Sequence, residues 1–268
     1  MKIGIISDLH IDINQAFPVG TLLADAARRK ELSCLAIAGD ISNDSAETLK
    51  FIEELSSRCG IPVYFVPGNH DFWSANGNEA ETWRIWEQYR AHPACLSDKQ
   101  IALNEDWVLL GEPGWYDYSF GNPRFSRADF ELKKQYGRTW QDSLHVNWGR
   151  PDIEVHQRML NRLEESLLAA QGKQVVALIH MVGKKEFTVP ESWPQWDYFN
   201  AFLGSKDYGE LLERFAVRYA AMGHVHFRHT VQSGDTTYFC TCLNYHTQWR
   251  SGDPAEEIEQ TLQVIDLL

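Results

Sequence analysis

Residues 62–71 read PVYFVPGNHD. A short β-branched and aromatic run stops on Pro67-Gly68, and an amide, an imidazole and a carboxylate follow at once. Such a run reads as a buried strand, and the Pro-Gly as the turn that ends it. The same arrangement recurs on both sides. Residues 2–7 (KIGIIS) run into Asp8-Leu9-His10, and residues 34–38 run into Gly39-Asp40. Further on, residues 174–179 end in His180, and residues 217–222 end in Gly223-His224-Val225-His226. Helical patterns lie between them. Residues 19–31 carry Leu22, Leu23, Ala26 and Ala27 on one stripe, with Arg28, Arg29 and Lys30 in the last turn, where cations suit the helix dipole. Asp44-Ser45-Ala46-Glu47 has capping-box spacing for a helix closed by Gly60. Pro151 opens a helix with Ile153, Leu160, Leu163 and Leu167 on one face, stopped by Gly172. Residues 208–215 read as helix, 107–110 as strand, and closing strands are expected near 229–232, 236–243 and 260–267. Strands alternating with helices predict a layered α/β fold. In such sheets the strand ends share one edge, so polar groups scattered over the chain can converge there.

The 268 residues, with 44% hydrophobic and 23% charged, are ordinary for a folded protein and exclude disordered or disulfide-scaffold classes. No repeat or Pro-rich linker divides them, so residues 1–268 are expected to form a single domain. Against 37 Asp and Glu stand 25 Lys and Arg, a formal charge of -12. That field repels a phosphate backbone, so a nucleic acid partner is disfavoured. The 5 cysteines include no C-x-x-C pair and suggest neither a disulfide framework nor a thiolate zinc site. With an opening that reads as a strand and not a signal peptide, and no apolar run of the ~18 residues needed to span a bilayer, a cytoplasmic location is expected.

Each strand-end cluster alone has an ordinary explanation. Asp and Asn favour turns, Gly68 suits a tight turn, and a histidine after an apolar run is commonly half-buried and satisfied. The pair His224 and His226 says more, because side chains two apart on an extended segment point the same way. All the clusters in this order form a nitrogen and oxygen donor set without thiolate. That set suits Mn, Fe, Zn, Co or Ni.

The ordered set Asp8-x-His10, Gly39-Asp40, Gly68-Asn69-His70-Asp71, His180 and Gly223-His224-x-His226 resembles the calcineurin-like metallophosphoesterase superfamily. The resemblance implies a four-layer αββα sandwich with two central mixed β-sheets and a dinuclear metal site at the strand ends. It gives one metal Asp8, His10 and His226, and the other Asn69, His180 and His224, with Asp40 bridging. Two divalent or trivalent ions, Mn, Fe or Zn, are implied. A hydroxide between them would attack a small phosphate ester in line. By the same resemblance His70 faces the substrate as general acid, oriented by Asp71.

Protein phosphatases of the superfamily carry arginines where this chain has Val66-Pro67 and Ile41-Ser42-Asn43, so a phosphodiester is slightly preferred. The alternatives are a phosphomonoesterase or nucleotide pyrophosphatase of the same fold, a DNA nuclease, and a non-catalytic metal-binding interaction module. Gly114-Trp115-Tyr116-Asp117-Tyr118 looks like a bacterial branch of phosphoesterases. Residues 112–150 lack a clear period, are rich in aromatics and hold no expected ligand, and read as an insertion or cap. Trp115 and Tyr116 are candidate substrate contacts there. Arg124, Arg127, Lys133, Lys134 and Arg138 are either a solvated face or a second phosphate site.

Overall fold

The computed structural model describes residues 1–75 and 77–267. Its strands are β1 (Lys2–Ile6), β2 (Cys34–Ala38), β3 (Val63–Val66), β4 (Gln100–Ala102), β5 (Trp107–Glu112), β6 (Lys134–Gln135), β7 (Arg138–Thr139), β8 (Gln174–Ile179), β9 (Tyr219–Met222), β10 (Arg228–Ser233), β11 (Thr236–Thr241) and β12 (Gln263–Asp266). Its helices are α1 (Val19–Arg29), α2 (Ser45–Cys59), α3 (Glu79–Ala91), α4 (Arg127–Glu131), α5 (Asp142–His145), α6 (Asp152–Ala169), α7 (Trp196–Phe199), α8 (Lys206–Arg214) and α9 (Pro254–Thr261). One sheet has the order β12-β1-β2-β3 and the other β10-β11-β9-β8-β5-β4. Both are mixed. β1, β2 and β3 run parallel with β12 antiparallel, and β5, β8, β9 and β11 run parallel with antiparallel strands at both edges.

Alternation along the strands explains the layers. Ile3, Ile5, Ala36, Ala38 and Val66 from one sheet form a buried cluster with Leu109, Val176, Leu178 and Ala221 from the other. The intervening Leu35, Ile37, Phe65, Leu110, Ala177 and Ile179 face the opposite way and join the helix-packed core. Two sheets buried on both faces require such nearly continuous apolar runs. The mixed α/β class with two central sheets agrees with the expectation. At the site end the sheets touch, through an isolated bridge between Ser7 and Cys242.

Local signals account for most boundaries. Asp44 caps α2 through the amides of Ala46 and Glu47, and Gly60 ends it at φ 70°. The expected capping box is incomplete, because Glu47 instead accepts from Ser42 Oγ. Three elements differ from expectation. Helix α3 is rich in aromatics and charge, which blurs its period, and β4 is only 3 residues long. α9 occupies the start of the expected 260–267 strand, with Asp253 as cap and Pro254 in its first turn. No helix among the described residues is long and apolar enough to cross a membrane.

Candidate metal centre

The ends of β1, β2, β3, β8 and β9 bring the expected ligands into two adjoining groups. Ligand atoms of Asp8, His10, Asp40 and His226 lie within 4.8 Å of one another, and so do those of Asp40, His180 and His224. Asp40 belongs to both. Its Oδ2 is 3.8 Å from His10 Nε2 and its Oδ1 is 3.3 Å from His180 Nε2. Asn69 joins the second group, with Oδ1 3.0 Å from His180 Nε2.

The donor set fits cations on chemical grounds. His180 Nδ1 lies 2.8 Å from the Ala38 carbonyl. A carbonyl only accepts, so Nδ1 carries the proton and Nε2 of the neutral ring presents a lone pair. Facing it are Asn69 Oδ1 and Asp40 Oδ1, both acceptors. Three electron-rich atoms converging call for a cation, or else for a second proton on His180. Burial lowers the affinity of His180 for that proton, but Asp40 outweighs burial and pushes the pKa up to about 9. A metal would displace this proton. His226 Nδ1 meets Gln248 Oε1 at 2.9 Å, which leaves its Nε2 lone pair 3.2 Å from His10 Nε2. His224 Nε2 donates to the Phe202 carbonyl at 3.2 Å, leaving Nδ1 as the free nitrogen. Burial, then His180, holds His224 down at about 3, and burial and His70 hold His10 well below the usual imidazole range. Asp8 Oδ2 and Asp40 Oδ2 are buried without a hydrogen-bond partner, which suits carboxylate oxygens that serve a cation.

The backbone is bent to serve this arrangement. Asp8, His10, Asp40, His224 and His226 all have positive φ, between 41° and 72°, a region that non-glycine residues rarely occupy and that gathers at functional sites. Neighbouring loops hold it there. The amides of Asp8, His10 and Ile11 donate to the carbonyls of Gly39, Asp40 and Ile41 at 2.9 to 3.0 Å, and Leu243 and Asn244 donate to Ser7 and Asp8 from the other side. Asn14, wholly buried, donates to the Leu9 and Asn244 carbonyls at 2.8 Å each. Two glycines are dictated by close approach. A Cβ on Gly68 would lie 2.2 Å from Asp40 Oδ1, and one on Gly223 2.5 Å from Asp8 Oδ2.

His70 sits beside the ligands with its ring stacked on Trp73 at 3.8 Å. Its orienting partner differs from expectation. The Asp71 carboxylate accepts from the amides of Gly68, Ile41 and Ser42 and from Thr48 Oγ1, at 2.7 to 3.2 Å. Asp71 therefore ties the Gly68 turn to the Asp40 loop, and His70 Nδ1 is held by Asn43 Oδ1 at 2.7 Å. Nothing in the types or spacing of Ile41-Ser42-Asn43 singled out Asn43.

A cleft of about 920 Å³ opens over Asp40, Asn69, His70, His224 and His226. Its walls include Trp73, Trp140, Trp193, Trp196, Phe199 and Phe227. Trp115 and Tyr116 are not among them. Both are fully buried, Trp115 Nε1 donates to Asp152 at 2.7 Å, and the two rings pack at 4.8 Å. They are core, because the apolar turn after β5 folds inward under α6. Of the basic cluster only Arg138 lines the cleft; Arg124 pairs with Asp197, Arg127 with Glu131 and Lys133 with Asp152. Part of the wall comes from residues 186–199, a segment whose mixed turns gave no periodic signal.

Two mixed sheets thus carry a histidine and carboxylate cluster, a candidate metal centre, at their shared strand ends. The profile of the calcineurin-like phosphoesterase family matches residues 1–228, and the chain belongs to that family of metal-dependent phosphoester hydrolases. A phosphopantetheinyl hydrolase (PptH) from Mycobacterium tuberculosis has a similar fold, with a TM-score of 0.76 and 17% identity over 98% of this chain and 95% of that one. A protein of Thermus thermophilus, TT1561, gives a TM-score of 0.54 at 14% identity over 99% and 98%. A dimetal phosphatase from Danio rerio gives 0.53 at 15% over 90% and 86%. At these identities the likeness is one of fold. No curated protein sequence matches the chain.

Proposed function

We propose that the chain hydrolyses a small phosphodiester with two metal ions at the strand ends. Asp8, His10 and His226 would hold one ion, Asn69, His180 and His224 the other, and Asp40 both. The observation that carries this reading is the pair of donor groups sharing Asp40, with the lone pairs of His180 and Asn69 turned toward each other. Bound ions supply a water acidified to near neutrality and positive charge for the phosphoryl oxygens. Mn, Fe or Zn suits the donors. His70, fixed by Asn43 and Trp73, is placed to donate a proton to the departing oxygen. The aromatic walls favour an ester with a sizeable organic group on each side of phosphorus, as a diester has.

A second reading, a nucleotide pyrophosphatase, has one observation in its favour. Arg138 and Arg250 line the cleft, and no carboxylate among the described residues forms an ion pair with either, so a second phosphate could be held there. The interaction-module reading gains nothing from a ligand set this complete. In the proposed setting the enzyme works in the cytoplasm.

The test is metal analysis followed by turnover of bis-nitrophenyl phosphate, nitrophenyl phosphate, nucleotides, nucleoside diphosphate esters and a phosphopantetheinyl ester, with Mn2+, Fe2+ or Zn2+. About two ions per chain and faster diester cleavage are expected. Preference for monoesters overturns the diester reading, and preference for diphosphates moves it to the pyrophosphatase. Two ions without any turnover leave the interaction module.

A further inference from the structure

Asn69 can serve a cation only with its oxygen turned toward His180. An amide has two orientations of nearly equal shape, and the other would aim an NH2 group at the metal centre. The neighbour that decides between them is Asp142, at the first position of α5 inside the cap. Its Oδ1 lies 2.8 Å from Asn69 Nδ2. A carboxylate only accepts, so the NH2 must face Asp142 and the oxygen must face His180.

The same carboxylate organises the cleft. Oδ1 also accepts from Trp73 Nε1 at 2.8 Å, and Oδ2 accepts from Trp140 Nε1 at 2.9 Å. Trp73 is clamped between His70 at 3.8 Å and His145 at 4.5 Å, stacked on both. Trp140 packs edge-on to His224 at 5.8 Å. Asp142 is almost wholly buried, and three donors on one buried carboxylate are what keep such a charge tolerable.

We infer that Asp142 is a positioning residue for the reaction. It fixes the amide of Asn69 toward the second metal position and, through Trp73, the plane of His70. The cap thus completes a site whose ligands all come from the strand ends. This rests on the proposed role of Asn69 as a ligand.

The experiment compares ion retention during dialysis against graded chelator, read by elemental analysis, for the parent, Asn69→Ala, Asp142→Ala, Asp142→Asn and the double variant Asp142→Asn with Trp140→Phe. Melting temperatures of the stripped proteins are measured alongside. Partners that orient a ligand are typically worth ~10- to 100-fold in metal affinity, so Asp142→Ala should release one of two ions at about that much less chelator. Asp142→Asn should lie between, since its single oxygen cannot serve donors on both sides. Removing the Trp140 N–H should then restore retention, because the oxygen is free to face Asn69 and Trp73. A purely structural Asp142 lowers the melting temperature and leaves ion retention at the parent level, and that result overturns the inference. If Asp142→Ala does not fold, the double variant decides: no gain over Asp142→Asn overturns it equally. Retention of both ions in Asn69→Ala would instead overturn the ligand assignment on which the inference stands.

Discussion

Two regions meet at the candidate metal centre and are built on different terms. The strand ends bring seven donor side chains from five separate stretches of chain, and five of those residues stand in left-handed backbone held by loop-to-loop hydrogen bonds. Residues 112–150 and the 186–199 segment bring rings, short helices and a hairpin of two-residue strands. In the first region, on the proposed ligand assignment, residue type follows coordination chemistry, and a substitution is expected to remove a ligand. In the second most positions need only fill space, and many ring arrangements do that equally well. Asp142 is where the two sets of rules join.

The sharpest way to test that division is at Asp40. Asp40→Asn keeps the shape and removes the charge shared by both donor groups. Several kcal/mol of charge stabilisation correspond to a fall of about 10³-fold or more in kcat/KM, and metal analysis should show fewer than two ions. Normal stoichiometry and turnover would show that the strand ends are not the chemical half of the molecule.

His70→Ala should retain both ions and slow turnover by ~10²- to 10⁴-fold for alkyl or nucleoside esters. Nitrophenyl esters, whose leaving group needs no proton, should lose much less. Asn43→Ala should give a weaker version of the same leaving-group signature. Equal loss on both ester types would reduce His70 to a positioning group.

Trp193 tests the cap side. It lines the cleft and is 62% exposed, so Trp193→Ala should leave the melting temperature and ion content alone. An aromatic contact worth ~0.5 to 1.5 kcal/mol predicts a rise in KM of about 2- to 13-fold for esters with an aromatic group. A fall in kcat with KM unchanged would break the comparison, because a wall residue would then be acting in the chemistry.

The remaining test concerns stability alone, at the end of β5 where residues 112–150 begin. Glu112 is fully buried, and burial, reinforced by Asp98 and opposed by Arg162 and Arg90, pushes its carboxyl up to about 8. The folded state therefore keeps a proton that the unfolded chain releases near 4.5. Stability from this group is present below that pH and is lost as pH rises toward 8. Glu112→Gln imitates the protonated form, so its melting temperature should gain on the parent between about pH 5 and 8. A parallel pair of curves would remove Glu112 from the account.

The two regions were unequally legible in the sequence. Short apolar runs ending in Asp8, Asp40, Asn69, His180 and His224 announced both sheets and the donor side chains that gather at their ends, because strand ends, glycine turns and donor types all leave marks at fixed spacing. Asp142, Asn43 and Asn14 left none. Their value lies in which distant atom each one meets, and a single Asp or Asn in a loop reads as a turn residue. Trp115 and Tyr116 misled for the related reason that an aromatic after a strand serves core and cleft alike, and only the path of the 113–118 turn decides. Asp71 was assigned to His70 by adjacency, whereas its carboxylate is taken up by the amides of Gly68, Ile41 and Ser42 and the hydroxyl of Thr48.

The left-handed backbone at Asp8, His10, Asp40, His224 and His226 changes how an alanine scan of this protein must be read. Alanine there keeps a Cβ in a conformation that L-residues resist by roughly 1 kcal/mol while deleting the polar contacts of the side chain. Activity loss and instability would arrive together and be taken for one effect. Glycine, at ease in that region, removes the donor and relieves the strain, and asparagine tolerates it while remaining polar. The pair of replacements at each position separates what the side chain does for chemistry from what its backbone demands of the fold.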